Sequence, residues 1–255
     1  MSTVEASYNA EERRFHLYRQ SVIYIGEIGT RGFGVSLGKD TMGTMQGAFE
    51  LMARVDEVLD HGKPDTQAAV MDYLEVFADD DPTAALEYPL PGVDPVIGAL
   101  AISGRAKITA EQAAEYGKKG KQIIQLGNTA KQTTNVTEYA GLAMLTGELS
   151  AGMLFSMVPE EERTQTGYER FVSCIIKLSR AGTVADWAAD LEQDNRDGLT
   201  IIRPTLANKL RIAKEGAPDL FAAVKQIGPK WAKLSGLGYQ ITKKGLKSAL
   251  LPAKY

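Results

Sequence analysis

From residue 45 onward, apolar side chains return every three or four positions, and that spacing restricts the chain to helices. Met45, Phe49, Met52, Val55 and Leu59 share one face of a helix expected to stop near Gly62. Pro64-Asp65 opens another, with Val70, Leu74 and Phe77 on its buried side. Thr109 and Gln112 have the spacing of a capping box for a helix running toward Leu126-Gly127, and Asn135 and Glu138 open a further segment in the same way. Pro159 followed by Glu160-Glu161-Glu162 predicts a helix start, because proline costs nothing at the first position and carboxylates favour the positive end of the dipole. That helix is expected to bury Tyr168, Phe171, Ile175 and Leu178 and to end at Gly182, with Thr183 capping the next. Pro204 and Pro218 are expected to begin two more, and Gly228-Pro229 to separate another. No repeat of fixed period and no low-complexity stretch interrupts the pattern. It predicts a mainly α, two-lobed, multi-helix protein.

The N-terminus is the expected exception. Residues 1–9 read as a flexible lead, with Asn9 capping a short helix through Gln20. Val22–Ile28 is β-branched and aromatic enough for a strand, and Gly29-Thr-Arg-Gly-Phe-Gly34 relaxes the backbone into a turn or an extended arm. Asp79-Asp80-Asp81-Pro82 and Tyr88-Pro-Leu-Pro-Gly92 mark a turn-rich connection between lobes. The expected organisation is an arm with a short β-hairpin over residues 1–40, an acidic helical lobe over 41–92, and a helical lobe with a basic end over 93–255.

Composition supports a folded globular chain: of 255 residues, 44% are hydrophobic and 24% charged. One cysteine, Cys174, excludes an internal disulfide framework and fits a reducing compartment. The N-terminal residues have neither the basic head nor the apolar run of a secretory signal. The most apolar window, Ala140 to Val158, is broken by Glu148 and three glycines, where a bilayer span needs about 20 nearly uncharged residues. A soluble, cytoplasmic protein is expected.

Catalytic and metal motifs fail on spacing or supply. The glycines of residues 26–34 match neither the dinucleotide fingerprint nor the P-loop, and the kinase signature residues are absent. Gly117-Lys-Lys-Gly-Lys121 lacks the hydroxyl that would hold magnesium and lies inside a helical pattern. His16 and His61 are the only histidines, so zinc sites of the usual kinds cannot be filled without carboxylates. His61 fits a helix-capping role, and Cys174 among Phe171, Val172, Ile175 and Ile176 reads as a buried, inert thiol. Asp79–Asp81 lacks the alternating ligand spacing of a calcium loop, and Asn135-Val-Thr137 has no meaning as a glycosylation site without secretion. Glu148 and Lys177 have no recognisable partner spacing for acid–base work. No enzyme, metal or cofactor is expected.

The informative feature is charge separation. The net charge is −3, yet residues 51–100 carry two basic and eleven acidic side chains, whereas residues 201–255 carry eleven basic and two acidic ones. Such halves predict a polyanionic partner for the basic part, contact between unlike ends of neighbouring copies, or internal pairing within one subunit. Basic residues form two groups. Arg105, Lys107, Lys118, Lys119, Lys121 and Lys131 lie in the middle; Arg203, Lys209, Arg211, Lys214, Lys225, Lys230, Lys233, Lys243, Lys244 and Lys247 populate the end. Lysine and arginine neutralise phosphates without reading sequence, and Tyr116, Trp231 and Tyr239 are aromatics able to stack on unpaired bases. Helical lobes of this size, an N-terminal arm and a basic second half are together similar in plan to the two-lobed helical nucleoproteins of negative-strand RNA viruses. That similarity implies a subunit that self-assembles through its N-terminal arm and encloses single-stranded RNA, in the cytoplasm or within a virion. A structural or adaptor protein that joins head to tail through its acidic and basic surfaces is the competing expectation.

Overall fold

A computed structural model describes residues 21–49 and 110–228, and every regular element among them is helical. Helix α1 covers residues 21–28 and continues into a π-helical turn at Gly29–Phe33, and α2 covers residues 39–49. The others are α3 (Ala110–Gln132), α4 (Val136–Ser156), α5 (Glu160–Arg163), α6 (Tyr168–Arg196) and α7 (Leu206–Ile227). The mainly α expectation is met. The described residues fall into two compact units: 21–30, 36–49, 110–121 and 153–165 in the first, and 31–35, 122–152 and 166–228 in the second. Among the described residues no helix is long and apolar enough to cross a membrane.

In the first unit, the expected strand at Val22–Ile28 is helical. Val22 is fully buried, Ile28 and Gly29 are buried as well, and Ile23 is exposed. Val22 and Gly29, seven positions apart, share a helix face, whereas a strand would have buried Tyr24 and Gly26 with Val22 and left Gly29 on its other side, and Tyr24 and Gly26 are only half-buried. Packing decides against β-branched propensity here. The residues that follow bond to side chains: the Ser36 N–H donates to Gln165 Oε1 (2.9 Å) and Gln165 Nε2 donates to the Ser36 carbonyl (3.0 Å). Glu162 accepts from the Gly38 N–H (3.0 Å) and the Thr41 hydroxyl (2.7 Å), so a carboxylate from α5 serves the unpaired N-terminus of α2. Arg163 donates to the carbonyls of Val158 (2.7 Å) and Ser156 (3.1 Å), which closes the end of α4. Met45 is fully buried in α2, as its spacing predicts; the remainder of that helix lies outside the described residues.

In the second unit, Tyr139, Ala140 and Ala143 of α4 meet Val184, Ala188 and Leu191 of α6, with Ile202 and Ile212 completing the core. The rings of Tyr139 and Trp187 lie 4.9 Å apart. At the α4–α6 crossing, a Cβ on Gly147 would stand 2.6 Å from the Ser179 carbonyl oxygen, and the Ser179 hydroxyl donates to the Gly147 carbonyl at 2.7 Å. Only a bare Cα permits that approach.

Several helix ends differ from expectation. Helix α3 runs through Gly127 to Gln132, since one interior glycine costs only about 1 kcal/mol. Asn135 caps α4 as expected, its Oδ1 accepting from the N–H groups of Thr137 (2.9 Å) and Glu138 (3.3 Å). The Glu138 carboxylate, however, receives the Thr133 hydroxyl (2.7 Å) in place of the reciprocal bond of a capping box. Pro159 does precede a helix, but α5 lasts four residues. The chain then turns at Gly167, whose φ of 95° is left-handed, and α6 begins. Beyond Tyr168, Phe171 and Ile175, the buried face of α6 continues into Val184, Ala188 and Leu191, so Gly182 does not end the helix and Thr183 caps nothing. Helix α7 starts where Thr205 Oγ1 accepts from the Asn208 N–H (3.2 Å), just after Pro204. Pro218 lies inside α7 and opens no new helix, because Ile212, Gly216, Ala223 and Ile227 form one buried face across it. Helix α7 does stop at Gly228, as expected; the helix expected beyond Pro229, the one expected from Pro64 and the 79–92 connection lie outside the described residues.

Candidate nucleic-acid interface

Among the described basic residues, Lys118, Lys119 and Lys121 fall in the first unit, and Lys131, Arg203, Lys209, Arg211, Lys214 and Lys225 in the second. In the first unit, Lys118, Lys119 and Lys121 occupy one stretch of α3. A 3.6-residue period places Lys118 and Lys121 on neighbouring positions of one face and turns Lys119 away. Lys118 is exposed, and Lys119 is half-buried in an ion pair with Glu115, four residues earlier. The hydrogen bond from Lys119 holds the Glu115 carboxyl below its ordinary range. Lys121 is half-buried. The stretch Gly117–Lys121 is helical, so it forms no phosphate loop.

In the second unit, Arg203 is exposed in the turn before α7, and its carbonyl accepts from Asn208 Nδ2 at 2.9 Å. Lys209 reaches Glu192 of α6 at 3.7 Å, and exposed Arg211 donates to the Thr137 hydroxyl at 3.1 Å. Lys214 and Lys225 are exposed on α7. Arg203, Arg211, Lys214 and Lys225 are thus surface cations on or next to one helix, while Lys209 is committed to a carboxylate. Arg105, Lys107, Lys230, Lys233, Lys243, Lys244, Lys247, Trp231, Tyr239, His16 and His61 lie outside the described residues, as does the side chain of Tyr116.

Three-dimensional proximity adds one arrangement that spacing along the chain conceals. Glu148, Tyr168, Ser173, Lys177, Arg180 and Asp219 line a solvent-open cleft of about 400 Å³ in the second unit. Arg180 from α6 meets Glu148 of α4 at 3.0 Å and Asp219 of α7 at 2.8 Å, tying three helices together. Lys177 donates to Ser173 Oγ at 3.2 Å. The cleft therefore contains Glu148 and Lys177 together, but Glu148 is engaged by Arg180 and no chain of nucleophile, base and orienting group runs through it. The only sequence sign of it was the recurrence of Ser173, Lys177 and Arg180 at helical spacing.

Cys174 is fully buried, donates to the Ala223 carbonyl at 3.7 Å, and burial pushes its thiol up to about 11. It is the inert thiol that its neighbours predict. No cluster of three or more metal-ligating side chains occurs among the described residues. No family model matches the chain, and no curated protein or solved structure is detectably similar to it.

Proposed function

We propose that this chain is a non-catalytic, RNA-binding subunit that self-assembles and coats single-stranded RNA without reading its sequence. The observation that carries the reading is the surface of α7 and its approach, where Arg203, Arg211, Lys214 and Lys225 are exposed. They lie in the segment 201–255, which has eleven basic and two acidic side chains. A local field of this sign draws phosphate whatever the net charge of −3. Lys118 and Lys121 on α3 extend the phosphate contacts, and the basic residues outside the described segments, Arg105, Lys107, Lys243, Lys244 and Lys247, add to them. Copies join to one another, with the N-terminal arm as one of the contacts. The test is whether purified protein carries nucleic acid that ribonuclease or high salt removes.

One observation favours a second reading, assembly without nucleic acid. Leu206, Leu210, Leu220 and Phe221 of α7 are all exposed, which a helix serving phosphates alone does not require.

A further inference from the structure

Helix α7 has two apolar faces. Ile212, Gly216, Ala223 and Ile227 are buried. Leu206, Leu210, Ala213, Ala217, Leu220 and Phe221 recur at the same helical spacing about a quarter-turn away, and the large ones face solvent: Leu206 is 69% exposed, Leu210 62% and Phe221 72%. Lys214 and Lys225 are exposed along one edge of this second stripe. An apolar stripe with a cationic edge fits an apolar segment bordered by carboxylates.

Charge selects among the segments of this chain that could cover it, and it disfavours residues 93–109, where Asp94 is outnumbered by Arg105 and Lys107. Residues 229–255 hold six lysines and no carboxylate, so they repel the lysine edge. Residues 1–20 hold three acidic and three arginine side chains and offer no net attraction. Residues 79–92 hold Asp79, Asp80, Asp81 and Glu87, no basic side chain, and the apolar Leu86, Tyr88 and Leu90. Residues 51–78 are also acidic, but their apolar positions have the spacing of a helix facing its own core.

We infer that the outward stripe of α7 is a docking site for the acidic segment 79–92 of a second copy of this chain. Leu86, Tyr88 and Leu90 cover the stripe while the carboxylates meet Lys214 and Lys225. The inference rests on the self-assembly half of the proposed function and reassigns Lys214 and Lys225 from phosphate to carboxylate. It makes the contact head to tail, the type that builds rings or filaments.

The test is sedimentation of the nuclease-treated full chain beside titration with an oligouridine short enough for one subunit. Leu210→Ser and Phe221→Ser alter exposed positions, and circular dichroism checks that they fold. Each is expected to weaken assembly at least about tenfold and to leave oligouridine affinity unchanged. Lys214→Glu with Lys225→Glu should weaken assembly, as should lysine at Asp79, Asp80 and Asp81, and combining the two sets should restore it. Wild-type sedimentation of the folded Leu210→Ser and Phe221→Ser variants, a wild-type monomer, or a charge swap without restoration overturns the inference. So does loss of oligouridine binding with assembly intact, which would make the stripe a nucleic-acid surface. Restored assembly in a chain that binds no oligouridine supports the inference and sinks the RNA reading alone.

Discussion

Replacing Gly147 by alanine tests the α4–α6 crossing on which the second unit is built. The new Cβ would stand 2.6 Å from the Ser179 carbonyl oxygen, 2.8 Å from its carbon and 2.8 Å from Thr183 Oγ1. The first two atoms are backbone of a 29-residue helix, so relief means moving a helix rather than a rotamer. Overpacking of this kind costs about 1–3 kcal/mol, offset by the roughly 1 kcal/mol that alanine gains over glycine in a helix. A net loss of up to about 2 kcal/mol is expected. Gly141 lies in the same helix with nothing within 4 Å of its would-be Cβ, so Gly141→Ala should gain about 1 kcal/mol. Two identical substitutions six positions apart should then differ by about 1–3 kcal/mol, with Gly147→Ala the less stable, or by about 2–12 °C in Tm for a chain of this size. Urea unfolding and calorimetry read both. Equal stability of the two variants would refute the close crossing.

Alkaline pH should destabilise the fold through two buried groups. Cys174 is raised from its ordinary 9.0 to about 11 by burial, and Tyr139 is raised by burial and by the Asp194 carboxylate. Raised values mean that the unfolded chain releases these protons first. The stability tied to Cys174 is therefore complete below pH 9 and lost as pH rises through about 11. The urea midpoint should fall across that window, less steeply in Cys174→Ala and Tyr139→Phe; a slope unchanged in both variants would contradict it. On α3, glutamate at Lys118, Lys119 and Lys121 together should lower RNA affinity and flatten its salt dependence by about 0.7 per lost phosphate contact. Lys119→Glu alone should matter less than Lys118→Glu, since Glu115 already engages Lys119 while Lys118 is exposed. Unchanged binding in the triple variant would remove α3 from the RNA surface.

Helix interiors were legible because Tyr168, Phe171 and Ile175 bury at the spacing that predicts it. Helix ends were legible only in part: Asn135, Pro204 and Gly228 mark real ones, but other stop signals do not. Gly127, Gly182 and Pro218 are local stop signals with local costs, and the continuous buried faces of the unit's core outweigh them. At Val22–Ile28, β-branched side chains pointed to a strand, while the chain is helical and buries positions 22 and 29 together. The surface was legible as charge but not as pairing. Lys119 and Glu115 are four residues apart and their ion pair follows from spacing, whereas Arg211 and Thr137 meet across 74 residues of chain. The exposed stripe of α7 has the same period as its buried one, so periodicity alone cannot say which faces solvent.

The central claim, that the basic surface holds single-stranded RNA, is tested most directly by the ultraviolet absorbance of the purified chain before and after ribonuclease and high salt. The purified chain is expected to show an absorbance ratio typical of bound nucleic acid, lost on either treatment, and to rebind single-stranded RNA of unrelated sequences in a salt-sensitive way. Nucleic-acid-free protein with no salt-sensitive affinity for RNA would contradict it.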